Sequence, residues 1–445
     1  MSKVGVETSY RQIWTSAWPI ILANAATPLL GLVDTAVIGN TGTISNLGSI
    51  ALGALLFNFV YWGFGFLRMG TTGFTAQADG AGDQAEVRAV LARSLLLALA
   101  IGAALLALQV PIAALAMHLF SASAEVEQGT QTYFYWRILG APAALANFAL
   151  MGTLVGLGRS GLLLRVQLLL NGLNIGLDLL LAGWLGWGVE GIAIGTALAE
   201  WISLGFALYW VLRLLSRNRQ SDAEAFWPRG RILNWQRMLS TLSTNRDIFI
   251  RTLALLFAFA WFTNQSAVFG DHILAANHLL MQFIAFSAYF LDGYAFAVEA
   301  MVGKAIGAAK RSAFDSVVRR STELALGTAL ALAVLILVAG GILIALMTDL
   351  DAVRIEATRY LPWAALYVLL SFGAFQLDGV FIGATRSAEM RNAALAATAV
   401  FMLSAWLLMP IWAAHGLWLA FVIYVVVRAL TQLAYMPRIR ASISP

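Results

Sequence analysis

About twelve apolar stretches follow one another along this chain, near 12–38, 48–76, 90–117, 131–157, 162–184, 189–214, 248–270, 274–303, 321–347, 358–383, 393–413 and 416–436. A helix needs about 20 mostly apolar residues to cross the hydrocarbon of a bilayer. Inside that medium every backbone polar group must be satisfied within the helix itself. The reading is therefore an all-α polytopic membrane protein with about twelve transmembrane helices. Composition agrees: 60% of the 445 residues are hydrophobic and 11% are charged, whereas a soluble domain is about 25% charged. The N-terminal MSKVGVETSYRQIW shows no cleavable signal pattern and runs into the first span, so that span is expected to remain in the mature protein.

Charge fixes an expected orientation. One set of loops carries Arg159, Arg165, Arg213, Arg217, Arg219, Arg229, Arg231, Lys304, Lys310, Arg311, Arg386 and Arg391. The opposite set carries Glu125, Glu127, Glu190, Asp271, Asp349 and Asp351, with Arg354 and Arg359 as basic exceptions. The positive-inside rule places both termini and the polar 215–247 linker in the cytoplasm. The net charge of +5 thus belongs to cytoplasmic loops and predicts no nucleic-acid partner. With no cysteine and with histidines only at 118, 272, 278 and 415, the sequence offers no disulfide and no metal-ligand spacing.

The linker divides the chain into an N-lobe, 1–214, and a C-lobe, 248–445, and the two are related. A shift of 227 residues carries Gly80, Ala81, Arg93 and Ser94 onto Gly307, Ala308, Arg320 and Ser321. The same shift carries Tyr133, Phe148, Gly152, Gly156, Arg159 and Ser160 onto Tyr360, Phe375, Gly379, Gly383, Arg386 and Ser387. Two six-helix lobes with the same orientation follow, related by an axis along the membrane normal. Gly152 with Gly156 and Gly379 with Gly383 form GxxxG pairs that let helices approach closely.

Polar residues that break the repeat point to function, because an ionisable group within a bilayer is costly. Asp34 lies late in the first span; Asn171, Asn174 and Asp178 share one face of the fifth; Thr196 lies in the sixth. Asp34, Asp178 and Thr196 each sit roughly 5–8 residues from the outer helix end, about 8–12 Å deep at about 1.5 Å per residue. They could share one pocket. Under the shift Asp34 becomes Trp261, Asn174 becomes Phe401 and Asp178 becomes Ala405, so the pocket belongs to one lobe. Two carboxylates in a low-dielectric site cannot easily both stay charged; a proton would neutralise the pair, and a sodium ion would do so equally well. In the second half Gln282, Asp292, Glu299 and Asp378 form a second set, read as substrate contacts or a second polar site. Arg68, Arg137 and Arg251 also fall within spans, as ion-pair partners or as side chains reaching for the interface. Pro19 and Pro28 in the first span favour a kink.

Together these residues resemble the multidrug and toxic compound extrusion family, most like its DNA-damage-inducible F branch. The resemblance rests on the twelve-span repeat, Pro19 and Asp34, Asn174 and Asp178, and Thr196. It implies cation-coupled export of amphipathic, cationic drugs by alternating access across the bacterial inner membrane. It also implies a proton site at Asp34, Asn174, Asp178 and Thr196, bending of the first helix at Pro19, and no cofactor beyond the coupling ion. The expected partners are small-molecule substrates and membrane lipid, and the expected state is monomeric. The sodium-coupled branch carries an acidic residue on the seventh span, which FAFAWFTNQSAVFG lacks; sodium coupling is the alternative. A lipid-linked precursor flippase is a further alternative, although such proteins have cationic cavities and this pocket is acidic. The loop ADGAGDQAEVR does not match the basic motif of the major facilitator transporters. An intramembrane protease is disfavoured because Gly158-Arg159-Ser160-Gly161 lies in a basic loop and reads as a turn.

Overall fold

The computed structural model describes residues 9–119, 122–217 and 225–443. Arg219, counted above among the basic loop residues, lies outside them, as does the side chain of Pro28. Every regular element among the described residues is helical. Ten long apolar spans follow in order: α1 Tyr10–Asn40, α2 Ile44–Gly80, α3 Gln84–Ala107, α4 Ala124–Gly156, α5 Ser160–Trp184, α6 Gly188–Arg217, α7 Trp235–Val268, α8 Asp271–Gly307, α9 Arg311–Met347 and α10 Asp351–Gly383. A last stretch, Ser387–Ala441, is divided at Ala413, whose φ of 48° and ψ of −129° are not helical. It supplies α11 (387–412) and α12 (414–441), which brings the spans to twelve. The break follows Pro410, and Gly416 sits so close to the Leu408 carbonyl that no Cβ would fit.

Local chemistry accounts for other interruptions. In α1 the helix runs unbroken through Pro19, and the discontinuity falls at Ala26, two residues before Pro28. Leu108 separates α3 from a continuing helix, Gln109–Leu119. Beyond Asp178, α5 widens over Leu179–Trp184, and Leu185 N–H donates to the Leu180 carbonyl at 2.9 Å, five residues back. Such widened turns often occur at functional sites.

The chain divides into two compact units, Leu22–Thr241 and Met1–Ile21 with Leu242–Pro445. This division differs from the boundaries drawn at the polar linker. The predicted 215–247 linker is largely structured: Arg229–Ile232 is a short helix, and α7 starts at Trp235 rather than near 248. The stretch WQRMLSTLSTNRD is helical but too polar to register as a span. Ion pairs tie the linker to the turn between α2 and α3. Arg231 Nη1 reaches Asp83 at 2.6 Å, Arg237 pairs with Glu86, Arg93 donates to the Arg231 carbonyl at 2.8 Å, and Arg88 to that of Phe226 at 2.7 Å. At the other end, Ile13 and Ala17 of α1 pack with Tyr294 and Ala297 of α8, which places the start of α1 with the second unit.

Inside each unit the repeat recurs in atomic detail. A Cβ on Gly152 would run into the carbonyl of Arg68, and one on Gly156 would lie 2.7 Å from the carbonyl of Thr72. A Cβ on Gly379 would lie 2.5 Å from the Ala295 carbonyl, and one on Gly383 2.5 Å from that of Glu299. Residues 295 and 299 are 68 and 72 displaced by the same 227. Each GxxxG pair therefore seats its helix, α4 or α10, on the backbone of α2 or α8 in the same register. The turns match as well: Gly82 and Gly158, with φ of 74° and 68°, correspond to Ala309 and Thr385, with φ of 53° and 54°. The left-handed Gly158 confirms that Gly158-Arg159-Ser160-Gly161 is a helix-ending turn, and Ser160 opens α5.

This packing has a measurable consequence. Gly152→Val forces a branched side chain against backbone that cannot give, and overpacking of this kind costs about 1–3 kcal/mol. The melting temperature of the purified variant in detergent is expected to fall by several degrees. Gly161→Ala, which meets nothing within 4 Å, is expected to melt like the parent.

Candidate functional site

The first unit brings Asp34, Asn174, Asp178 and Thr196 together, as their spacing predicts. Asp34 lies six residues before the end of α1, Asp178 six before the end of α5, and Thr196 eight after the start of α6. Their depths along three neighbouring helices therefore agree. Asn174 and Asp178 are fully buried, at 2% and 0% exposure, and Asp34 is half-buried. Asn174 Nδ2 donates to Thr196 Oγ1 at 2.8 Å, and that hydroxyl donates in turn to the Ile192 carbonyl at 2.8 Å. The Thr196 oxygen is thereby engaged on both sides.

The two carboxyl groups face each other. Asp178 lies within hydrogen-bonding reach of Asp34, and the Arg137 guanidinium acts electrostatically on both. Neither oxygen of Asp178 accepts a hydrogen bond from a described donor, nor does Oδ1 of Asp34. Asn171, on the same face of α5, also buries its amide without a hydrogen-bond partner among the described residues. A glycine makes room for the carboxyl: a Cβ on Gly195 of α6 would lie 2.6 Å from Asp178 Oδ1.

Arg137 is the cation of this region, but another acid holds it. Its Nη1 and Nη2 make a bidentate pair with Glu200 at 2.8 and 2.7 Å, fully inside the unit. The guanidinium lies over the neighbouring rings of Phe57 and Tyr61, at 5.2 and 5.3 Å from their centroids. Asn147 Nδ2 donates to the Glu200 carbonyl at 3.0 Å. A fork-to-fork pair of this kind fixes both partners, and it leaves the two aspartates without an ion-pair partner among the described residues. Glu200 and Gly195 were not singled out from the sequence. Glu200 carried a usable signal, since it is an acid in an apolar span one helical turn from Thr196.

The second unit shows the same positions with different chemistry. Trp261 and Phe401, the counterparts of Asp34 and Asn174, touch edge to face at 5.0 Å. Ala405, the counterpart of Asp178, is completely buried in the same cluster. The polar residues expected there do not form one site. Gln282 is exposed near His278, Asp292 is half-buried, and Glu299 is buried. Gln282 and Glu299 stand 17 positions apart on α8, about 26 Å along a helix. Asp378 is instead enclosed by Arg251, Arg428 and Gln432. Arg137 and Arg251 are thus buried ion-pair partners rather than side chains reaching for the interface.

The Arg137–Glu200 pair allows a sharp stability test. Arg137→Met leaves a buried carboxylate without its cation and is expected to cost roughly 3–5 kcal/mol, whereas Arg137→Met with Glu200→Leu should recover most of that loss. Denaturation of the purified variants checks this; equal stability of the single and double variants would contradict it.

Comparison with known proteins agrees with this architecture. The MatE family model matches residues 19–180 and again 248–408, one match in each half. The chain is 39% identical over 433 residues to DNA damage-inducible protein F of Escherichia coli (strain K12), covering 97% of this chain and 93% of that protein. It is 29% identical over 321 residues to a probable multidrug resistance protein NorM of Deinococcus radiodurans, covering 69% of this chain and 66% of that one. A MOP superfamily transporter from Pyrococcus furiosus shares the fold with a TM-score of 0.87 at 19% identity, over 100% of both chains. A variant of the Vibrio cholerae MATE transporter VcmN does so with 0.82 at 20% identity, over 97% of both. On the family match and the full-length relative, the chain belongs to the MatE family, the multidrug and toxic compound extrusion transporters, and is a membrane transporter rather than an enzyme.

Proposed function

We propose that this transporter is a proton-coupled antiporter that exports amphipathic, cationic small molecules across the bacterial inner membrane, with both termini in the cytoplasm. The observation that carries the reading is the carboxyl of Asp178 set against that of Asp34 with no described donor on it. Asp178 is completely buried, no described donor reaches it, and the group it faces is the carboxyl of Asp34. Two ionised carboxylates in that position repel each other in a medium that screens little. One proton shared between them replaces the repulsion with a hydrogen bond. Thr196 supports a proton over sodium, because its oxygen already accepts from Asn174 and donates to Ile192. The relatives named for multidrug resistance support the substrate class, and the basic loops support the orientation.

The coupling follows from the same pair. When the pair is deprotonated its charge favours an organic cation. A proton arriving from outside lowers that charge by one and closes a hydrogen bond between Asp34 and Asp178. A rotation of α1 at Asp34 reaches Pro19 only across the discontinuity at Ala26, and at Pro19 the missing N–H lets the first segment bend. The driving energy suffices. One charge moving through 100 mV yields about 2.3 kcal/mol, so a proton-motive force of roughly 180 mV supplies about 4 kcal/mol per proton, which is set against both the concentration gradient and the charge of the exported cation.

Purified protein in sodium-free proteoliposomes tests the reading. An imposed inward proton gradient is expected to drive efflux of a cationic dye. Asp34→Asn and Asp178→Asn should each reduce that efflux at least about tenfold at normal expression, the loss expected of an obligatory proton-transfer group. Pro19→Ala should slow it without abolishing it. Efflux driven by a sodium gradient and not by a proton gradient would replace the proton by sodium at the same pair.

A further inference from the structure

The second unit encloses a charged cluster that the proton reading does not use. Asp378 of α10 receives Arg251 of α7 on Oδ2, Arg428 of α12 on the same oxygen at 2.9 Å, and Gln432 Nε2 on Oδ1 at 2.5 Å. All four side chains lie inside the protein: relative exposures are 5% for Asp378, 7% for Arg251, 3% for Arg428 and 0% for Gln432. None has a counterpart in the first unit, where the equivalent positions hold Met151, Asn24, Trp201 and Gly205. The cluster is therefore an addition to the shared scaffold.

Its charges do not balance. Two guanidinium groups meet one carboxylate, and Asp378 is the only carboxylate partner of either arginine among the described residues. The nearest acid on α7, Asp247, is taken by Arg391 at 2.6 Å and Arg246 at 3.2 Å. Donors are left over as well, since Nε of Arg251 and Nε of Arg428 are both buried without a hydrogen-bond partner. The Phe375 ring faces Arg428 at 5.8 Å, and the Tyr424 hydroxyl stands beside it. These neighbours soften a positive charge but do not cancel it. A water molecule would satisfy an Nε donor and leave the charge, and an isolated buried cation is strongly disfavoured. An anion does both.

We propose that the Arg251–Asp378–Arg428 cluster binds one small monovalent anion of the halide class, chloride in the cell. Near-complete burial of all four side chains favours a small ion over a phosphorylated lipid headgroup. Asp378 lies five residues before the end of α10, near the turn at Arg386 and the start of α11 with Arg391, so the ion enters from the side of these basic residues. The role is to complete the charge of the cluster and to hold α7, α10 and α12 together.

The test compares purified full-length protein in detergent with chloride or gluconate at constant ionic strength. Chloride, and bromide in its place, should raise the melting temperature saturably by roughly 2–4 °C. In Arg428→Gln the remaining Arg251–Asp378 pair is neutral, so the halide dependence should vanish. Equal melting of the wild type in chloride and gluconate would overturn the proposal. So would a halide dependence that survives in Arg428→Gln, or stabilisation by phosphatidylglycerol but not by halide. Should the variant fail to fold, crystals of the wild type grown in bromide decide the matter: an anomalous peak beside the two guanidinium groups supports the site, and its absence contradicts it.

Discussion

The contact between Asp34 and Asp178 organises the first unit, because two carboxyl groups face each other where no described donor reaches either oxygen of Asp178 or Oδ1 of Asp34. In an apolar helix bundle that arrangement is stable only when something positive stands between the oxygens. The surrounding residues keep the place open rather than filling it. Glu200 holds Arg137 in a bidentate grip, Thr196 occupies the Asn174 amide, and Gly195 leaves space where a methyl group would collide with Asp178. A conventional salt bridge from Arg137 to either aspartate would neutralise the pair permanently and leave nothing to titrate.

The internal repeat separates scaffold from chemistry. The two units share the glycine contacts between α4 and α2 and between α10 and α8, to the same backbone carbonyls under one shift. They also share left-handed turns at matched positions, with glycine in the first unit and Ala309 and Thr385 in the second. On that common backbone the first unit carries an acidic pocket, and the second carries an aromatic cluster built on Phe401 and Phe421. The second unit adds a cationic cluster of its own at Asp378. Each unit therefore departs from the repeat with opposite charge, acidic toward the ends of α1 and α5 and basic toward the end of α10.

Much of this was legible in the sequence because the bilayer restricts the choices. Apolar length determined the helices, loop charge their expected orientation, and the 227 shift the repeat. Asp34 and Asp178 stood out because ionisable residues are rare in such spans, and the face shared by Asn174 and Asp178 followed from helical periodicity. The boundary near the linker was less legible. The start of α7 is polar, so an apolar criterion missed it, and only tertiary ion pairs such as Arg231–Asp83 reveal that the linker packs on the first unit. The pairing of Arg137 with Glu200, 63 residues apart, is likewise a property of the folded bundle. Gly195 matters only because Asp178 arrives beside it. The lone set Gln282, Asp292, Glu299 and Asp378 shows the converse, since rarity in a span marked each residue but could not say that they lie apart.

The account stands on a proton held between two carboxyl groups, and infrared difference spectroscopy observes such a proton directly. Purified protein at neutral pH, free of sodium and substrate, is predicted to show the C=O stretch of a protonated carboxylic acid that shifts in deuterium oxide and is lost in Asp178→Asn combined with Asp34→Asn. If no such band is present at neutral pH, both groups are ionised, and the pair is not the proton carrier described here.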